Sequence, residues 1–135
     1  MSPPFPRKGI VLFAHGSRDP LWHKPMEAVA RQITLLQDDS NVVCAYLELS
    51  SPDLPTAVAG LVGQGCRTIT VVPLFLGVGK HAREDLPTLM HALRKEHTNV
   101  NFTLQPAVGE NPRLIALLAE IALASPDRQE YENDR

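Results

Sequence analysis

The hydrophobic residues of this chain alternate between compact runs of strand length and stripes with helical spacing. Four segments have the length and the apolar or β-branched content of sheet strands: residues 9–14, 41–49, 67–76 and 100–107. Helical spacing predicts helices from Pro25 to Leu36, over 54–62 with Gly65 as the C-cap, around 86–93, and from Pro112 onward with Asn111 as the N-cap. Pro73 cannot donate a ladder hydrogen bond and indicates that pairing of the third strand ends near it.

The same spacing predicts which side of each helix faces the core. In the first helix the predicted inward residues are Met26, Val29, Ala30, Ile33 and Leu36, and in the last they are Leu114, Leu117, Leu118 and Ile121.

This order of elements, βαβαβαβα with short connections, is typical of an α/β protein with a parallel sheet. We therefore predict a small doubly wound sheet of four strands in the order 2-1-3-4, with helices on both faces. Residues 1–124 should form a single domain. Residues 125–135 are polar and charged without an apolar period, and we expect a disordered tail there.

Composition excludes several classes of protein. With 135 residues, 44% hydrophobic and 21% charged, the chain has the size and balance of one globular domain. A net charge of −2 gives no general attraction to nucleic acid or to an anionic membrane. Neither a signal peptide nor a membrane-length apolar run is visible, so a cytoplasmic location is expected. Cys44 and Cys66 form no CxxC motif, and we interpret both as reduced structural residues.

Candidate chemistry collects where the predicted strands end. In an open parallel sheet, ligands bind beyond the carboxyl ends of the strands, at the point where the strand order reverses. His15 follows strand 1, His81 follows strand 3 after a glycine-containing loop, and Glu48 closes strand 2. Neutral imidazole and carboxylate are ligands that Fe²⁺ and Co²⁺ accept. Together these residues favour a site for a divalent metal.

Four cations accompany the histidines and favour an anionic ligand at the same edge. Arg18 and Lys24 fall in the first loop, and Lys80 and Arg83 flank His81. Gly77 and Gly79 would allow the backbone to approach that ligand closely.

Each candidate also has an ordinary structural interpretation. A histidine at a strand end can simply be a hydrogen-bonded loop residue, and Glu48 can be an exposed carboxylate without a role. The four cations can be charges that only water contacts. Their combination at the point where the strand order reverses favours a binding site.

His23 and Trp22 are secondary candidates, whereas His91 and His97 are interpreted as structural. A hydrolase or phosphatase using Ser17 or His15 is disfavoured, because the chain lacks a G-x-S-x-G elbow and has Ala14 rather than arginine before His15.

Several longer segments carry a family resemblance. "VLFAHGSRDP", "PLFLGVGKHAREDLP" and "NPRLIALLAEIA" resemble the CbiX/SirB family of sirohydrochlorin chelatases, which are class II, ATP-independent enzymes. The resemblance implies a lyase that inserts Co²⁺ or Fe²⁺ into sirohydrochlorin, on the way to cobalamin or siroheme. It implies no permanent cofactor, since the metal is a substrate.

The resemblance also implies roles for residues. The family's metal-binding histidines fall on His15 and His81, and its acidic residue falls on Glu48. Arg18, Lys80 and Arg83 would meet the carboxylates of the macrocycle. The metal identity and the proton acceptor, Glu48 or a histidine, stay open. A tetrapyrrole or metal carrier without turnover is the alternative function.

An assembly follows from the same resemblance. Long members of the family carry two copies of this domain, and the chain resembles the short form, which pairs as a homodimer. Apolar residues near the histidines offer an interface: Leu21, Trp22, Leu76 and Val78.

Overall fold

A computed structural model describes residues 7–124 of the chain. Its strands are β1 (Arg7–Ala14), β2 (Ser40–Tyr46), β3 (Cys66–Pro73) and β4 (Asn101–Leu104). Its α-helices are α1 (Lys24–Leu36), α2 (Leu54–Gly63), α3 (Lys80–Glu96) and α4 (Pro112–Leu123), and short 3-10 turns cover Pro20–His23 and Val108–Glu110. The predicted tail, residues 125–135, lies outside the described residues.

The four strands form one parallel sheet in the order β2-β1-β3-β4, which confirms the predicted α/β architecture. Ala14 pairs with Tyr46 and Phe13 with Pro73, so β1, β2 and β3 end at nearly the same level. Ladder pairing of β3 ends at Pro73, as the missing N–H of proline predicts. The carboxyl ends of the strands therefore share one edge of the sheet.

Two apolar layers hold helices on the two faces of the sheet. The larger layer joins alternate residues of β1 and β3, such as Val11, Phe13 and Val71, to the buried sides of α2 and α3. On the other face a smaller cluster joins Met26 of α1 to Ala14 and Tyr46. The alternation of strand residues between the layers is the period-two pattern expected for a sheet buried on both faces.

The helix ends obey local capping chemistry. Asp53 is the N-cap of α2 and accepts a hydrogen bond from the Thr56 N–H. Hydrogen bonding from Thr56, first through its side chain and second through its backbone, lowers the pKa of the Asp53 carboxyl group. Asn111 accepts from the Arg113 N–H at the start of α4, as predicted. Gly65, predicted as the C-cap, lies one position beyond the C-cap Gln64 and adopts φ +94°, the left-handed conformation that favours glycine.

The predicted inward face of α4 is wrong. No residue of α4 is buried: Leu118 is 40% exposed, Ile121 is 62% exposed, and Leu117 is also exposed. The first helix shows the same error in part, since Met26 is buried but Val29 and Leu36 are exposed. The helical stripe is present in both helices, but residues 7–124 cover little of it.

Three predicted boundaries move at the carboxyl edge. β2 ends at Tyr46 rather than Leu49, because the chain turns over the next residues and Leu49 takes φ +64°. β4 ends at Leu104, before Pro106. α3 begins at Lys80, so His81 and Arg83 lie in a helical turn rather than in a loop.

Both cysteines are free thiols, as predicted, with Cys66 buried and Cys44 half-buried. Burial raises the pKa of each thiol, so both stay protonated near neutral pH. Within residues 7–124, no helix has the length and apolar character that a membrane crossing requires.

Candidate functional site

Backbone bonding between β1 and β2 continues two residues beyond the strands and brings His15 beside Glu48. The Leu47 N–H donates to the Ala14 carbonyl at 2.9 Å, and the Glu48 N–H donates to the His15 carbonyl at 3.0 Å. The two predicted site residues are therefore neighbours at the carboxyl edge, even though Glu48 lies outside β2. Both are exposed.

Gly16 is what allows this close approach. It has φ +101°, and a Cβ atom placed on it would lie 1.8 Å from the Glu48 carbonyl oxygen. Any side chain at this position would push the loop after β1 away from the loop after β2.

Phe75 lies against the ring of His15. The two ring centroids are 4.3 Å apart with an interplanar angle of 36°. Phe75 is only 2% exposed and also contacts Phe13 edge to face, so it is a fixed part of the core. Phe75 falls within the predicted third strand and was assigned no role in the site. An aromatic residue two positions beyond Pro73, where pairing of that strand ends, was the available signal.

The segment around Phe75 is held from both sides. The Leu74 N–H donates to the Phe13 carbonyl at 2.8 Å, and the Gly109 N–H donates to the Phe75 carbonyl at 2.9 Å. The turn that carries Phe75 is therefore fixed to β1 and to the 3-10 turn before α4, which makes it a stable support for His15.

Lys80, His81 and Arg83 lie in the first turn of α3, and all three are exposed. That turn contains no acidic residue, and its N-cap, Gly79, provides no side-chain cap. Cations at a helix N-terminus oppose the helix dipole, which favours negative charge there. An anionic ligand at this edge would satisfy both the side chains and the free N–H groups.

Gly77 and Gly79 are exposed, and a Cβ atom on either would meet nothing within 4 Å. The fold therefore does not demand glycine at these positions. The predicted role of both residues, close approach of the backbone to a ligand, stays a prediction.

The remaining candidates occupy the loop after β1. Arg18 is exposed, and Lys24 is the first residue of α1 rather than a loop residue. Trp22 is half-buried against the small apolar cluster and has a packing role. His23 is half-buried and hydrogen-bonded to the Ser17 carbonyl.

Among residues 7–124, no three His, Cys, Asp or Glu side chains are grouped closely enough to hold a metal ion. His15, Glu48 and His81 therefore share an edge without forming a closed set of ligands in one chain. Binding of the metal by His15 and His81 stays a prediction.

The concave surfaces near the edge are open clefts. One, of about 360 Å³, is lined by Phe75, Val78 and Arg83. Another, of about 480 Å³, is lined by Ser17, Arg18, His23 and Ser50. A cleft of about 390 Å³ between α2 and α3 has none of the predicted site residues in its lining, and we assign it no role.

The family model of CbiX matches residues 9–124 of the chain. Among curated proteins, the sirohydrochlorin cobaltochelatase of Methanothermobacter thermautotrophicus is 32% identical over 85 residues, which are 63% of this chain and 59% of that protein. The protein of the same name from Methanosarcina acetivorans is 34% identical over 82 residues, which are 61% of this chain and 63% of that protein. The chain thus matches about three-fifths of the length of these relatives.

Solved structures agree with this comparison. A CbiX protein from Marinobacter aquaeolei VT8 is 36% identical, with a TM-score of 0.74, over 93% of this chain and 98% of that one. The sirohydrochlorin chelatase SirB from Bacillus subtilis subspecies spizizenii, solved in complex with cobalt, has a TM-score of 0.71 over 90% of this chain and 56% of that one. At 22% identity, that likeness concerns the fold alone.

Proposed function

The chain belongs to the CbiX family, and from this premise we propose that it inserts a divalent metal ion, Co²⁺ or Fe²⁺, into sirohydrochlorin without ATP. One observation carries the proposal. An exposed histidine, His15, rests on a fixed aromatic ring and lies beside the carboxylate residue Glu48, at the edge of the sheet where α3 presents Lys80, His81 and Arg83. The names of the relatives support the same substrate and metal.

The histidines receive the metal in this proposal. Neutral imidazole binds Co²⁺ and Fe²⁺ moderately, and an exposed ring can release the ion as readily as it takes it up. Phe75 limits the tilt of the His15 ring, so a nitrogen of that ring keeps its direction toward the edge.

A proton acceptor is the second requirement, because two pyrrole N–H protons leave the macrocycle when the metal enters. Glu48 is exposed and its backbone is hydrogen-bonded to that of His15, so its carboxylate can exchange protons with water close to the metal. The candidates for this role are Glu48 and one of the two histidines, His15 or His81.

The test of the proposed function is direct. Purified protein is mixed with sirohydrochlorin and Co²⁺, Fe²⁺ or Ni²⁺ in turn, without ATP, and metallation is followed by absorbance. A chelatase raises the rate above that of the uncatalysed reaction. A carrier that binds tetrapyrrole or metal without turnover gives spectral changes of binding and leaves the rate unchanged.

The cations of α3 should act on substrate binding. Because Lys80 and Arg83 would meet peripheral carboxylates that are the same in ground and transition states, Lys80→Ala and Arg83→Ala are expected to raise KM for sirohydrochlorin about 2- to 5-fold and to change kcat little. The increase should shrink at high salt, which screens exposed charges. Lys95→Ala, at the other end of the same helix, is the control and should leave KM unchanged. A loss that is confined to kcat and independent of salt would contradict this role.

A homodimer would complete the site. Small-molecule sites usually enclose most of their ligand, whereas the clefts at this edge are open on one side. A second copy related by a two-fold axis would supply the opposite wall. Leu21 and Leu76, both from the predicted interface, are exposed at this edge, whereas Trp22 and Val78 are half-buried.

α4 carries a second exposed apolar stripe. The 3-10 turn before α4 donates the Gly109 N–H to Phe75, so the helix starts after a turn that is bonded to the support of His15. The exposed residues Ile115, Leu118 and Ile121 of α4 offer a second copy further apolar area.

This assembly predicts that a charged α4 disrupts the dimer. The double substitution Leu118→Glu with Ile121→Glu should convert the dimer to a monomer, because it places carboxylates in an apolar interface. Sedimentation velocity at micromolar concentration measures the change. Leu35→Glu, on the outer surface of α1, is the control and should leave the dimer intact. A wild-type monomer that inserts metal at full rate would show that one wall is sufficient.

A further inference from the structure

Ser17 is held at both its backbone groups by one side chain from the loop after β2. The Ser50 hydroxyl accepts a hydrogen bond from the Ser17 N–H at 3.0 Å and donates one to the Ser17 carbonyl at 2.7 Å. The Ser17 hydroxyl in turn accepts from the Asp19 N–H at 3.1 Å. The short loop that carries His15 and Arg18 is thus fastened at its middle residue.

His23 completes this fastening from the far end of the loop. Its Nε2 lies 3.0 Å from the Ser17 carbonyl oxygen and 3.3 Å from the Ser50 hydroxyl oxygen. The carbonyl can only accept, and the one proton of the Ser50 hydroxyl is already directed at it. Nε2 must therefore carry a proton and donate it. An unprotonated Nε2 would place two acceptors against each other.

The ring of His23 is fixed from behind. It packs edge to face on Tyr46 with the centroids 4.7 Å apart, and it contacts Trp22 at 5.6 Å. Tyr46 belongs to the end of β2 and is buried, so the donor nitrogen is held by the sheet itself. The Nε2 atom is occupied within the protein, which leaves it unable to bind a metal or a substrate.

We infer that His23 and Ser50 are positioning residues, which clamp Ser17 and thereby set the placement of Arg18 toward the substrate. Arg18, His23 and Ser50 line the same open cleft, so a shift of Ser17 moves Arg18 within it. The inference rests on the proposed function for the role of Arg18 and goes beyond it by assigning residues that do not touch the substrate.

The clamp itself can be tested without any activity. Nitrogen-15 spectra of the uniformly labelled protein report the backbone amides and also which histidine ring nitrogen carries the proton. We expect His23 to be protonated at Nε2, and the Ser17 amide signal to shift in Ser50→Ala but not in Ser51→Ala, a serine of the same cleft. An unprotonated Nε2, or equal effects of the two serine substitutions, would overturn the clamp.

The effect on the substrate is tested by sirohydrochlorin affinity in a double-mutant cycle. His23→Phe keeps the ring contacts and removes the donor, and it should raise Kd about 5-fold, the scale of one net hydrogen bond. His23→Gln, whose amide can donate from a similar place, should restore most of the affinity. In the Arg18→Ala background, His23→Phe should have little further effect, because both act through the same group.

Additive losses in this cycle would show that His23 does not act through Arg18 and would overturn the inference. If the wild type binds sirohydrochlorin but inserts no metal, the proposed function fails while the cycle still decides the role of His23. If the wild type does not bind sirohydrochlorin, both the proposed function and the placement of Arg18 fail, and the histidine spectra decide the clamp alone.

Discussion

His15→Ala and His81→Ala are each expected to reduce the rate of metal insertion by about 10²-fold or more, the scale of a group that acts directly at the reacting centre. Both rings are exposed at the carboxyl edge of the sheet, so neither substitution should unfold the protein. His15 loses only its contact with Phe75. The measurement is the initial rate of sirohydrochlorin metallation, with thermal unfolding to confirm the fold.

His91→Ala is the matched control, because His91 is an exposed histidine on the same helix as His81. It should insert metal at the wild-type rate. Wild-type rates in a folded His15→Ala or His81→Ala variant would remove that histidine from the assignment.

Gly16→Ala is expected to lower the free energy of unfolding by about 2–3 kcal/mol. The left-handed conformation costs a residue with a Cβ atom about 1–2 kcal/mol, and opening the hydrogen bond between Glu48 and His15 adds about 1 kcal/mol. Insertion of metal should also slow, because the same movement separates the two site residues. Urea denaturation and the metallation rate measure the two effects.

Gly65→Ala is a control that separates the cost of the left-handed backbone conformation from the cost of the steric contact with Glu48. Gly65 has a similar positive φ, +94°, but a Cβ atom on it would meet nothing within 4 Å. Its substitution should cost only the conformational share, about 1–2 kcal/mol, and leave the metallation rate unchanged. Equal losses at the two positions would show that the approach of Glu48 to Gly16 does not matter.

The strand order, and the shared sheet edge of the candidate site residues, were predictable from the sequence because they depend on local patterns and general rules. Buried runs alternate with helical stripes, right-handed crossovers limit the topology, and parallel strands place His15, Glu48 and His81 at one edge. What was missed depends on contacts between distant loops. The clamp formed by Ser17, Ser50 and His23 joins residues whose separation in sequence gives no signal of their proximity.

The predicted start of α3 lies C-terminal to the observed start because of the residues next to it in sequence. Pro87 disfavours the helical conformation of the residue before it, and Gly77 and Gly79 indicate a loop. The structure instead extends the helix back to Lys80, with Pro87 inside it. This places Lys80, His81 and Arg83 on one turn and gives the site a helix N-terminus that the sequence did not reveal.

The residues that α4 buries could not be predicted, because an apolar stripe indicates only that another surface should cover it. It does not indicate whether that surface belongs to the same chain or to a partner. In α2 and α3 the sheet covers the stripe. In α4 the residues from Ile115 to Ile121 are exposed in the part of the chain that the structure describes. All three helices carry apolar residues at helical spacing, and the long-range arrangement of the chain decides which of these residues are covered.

The sparse packing of α4 also has a consequence for local stability. Within the described residues, its substantial contacts are with the adjoining 3-10 turn, so its hydrogen bonds can open without disturbing the core of β1 and β3. The backbone amides of α4 should therefore exchange with deuterated water far faster than those of the central strands when the protein is dilute. If a second copy covers the helix, that exchange slows as protein concentration rises. The exchange rate of the α4 amides would then report the fraction of protein that is dimeric.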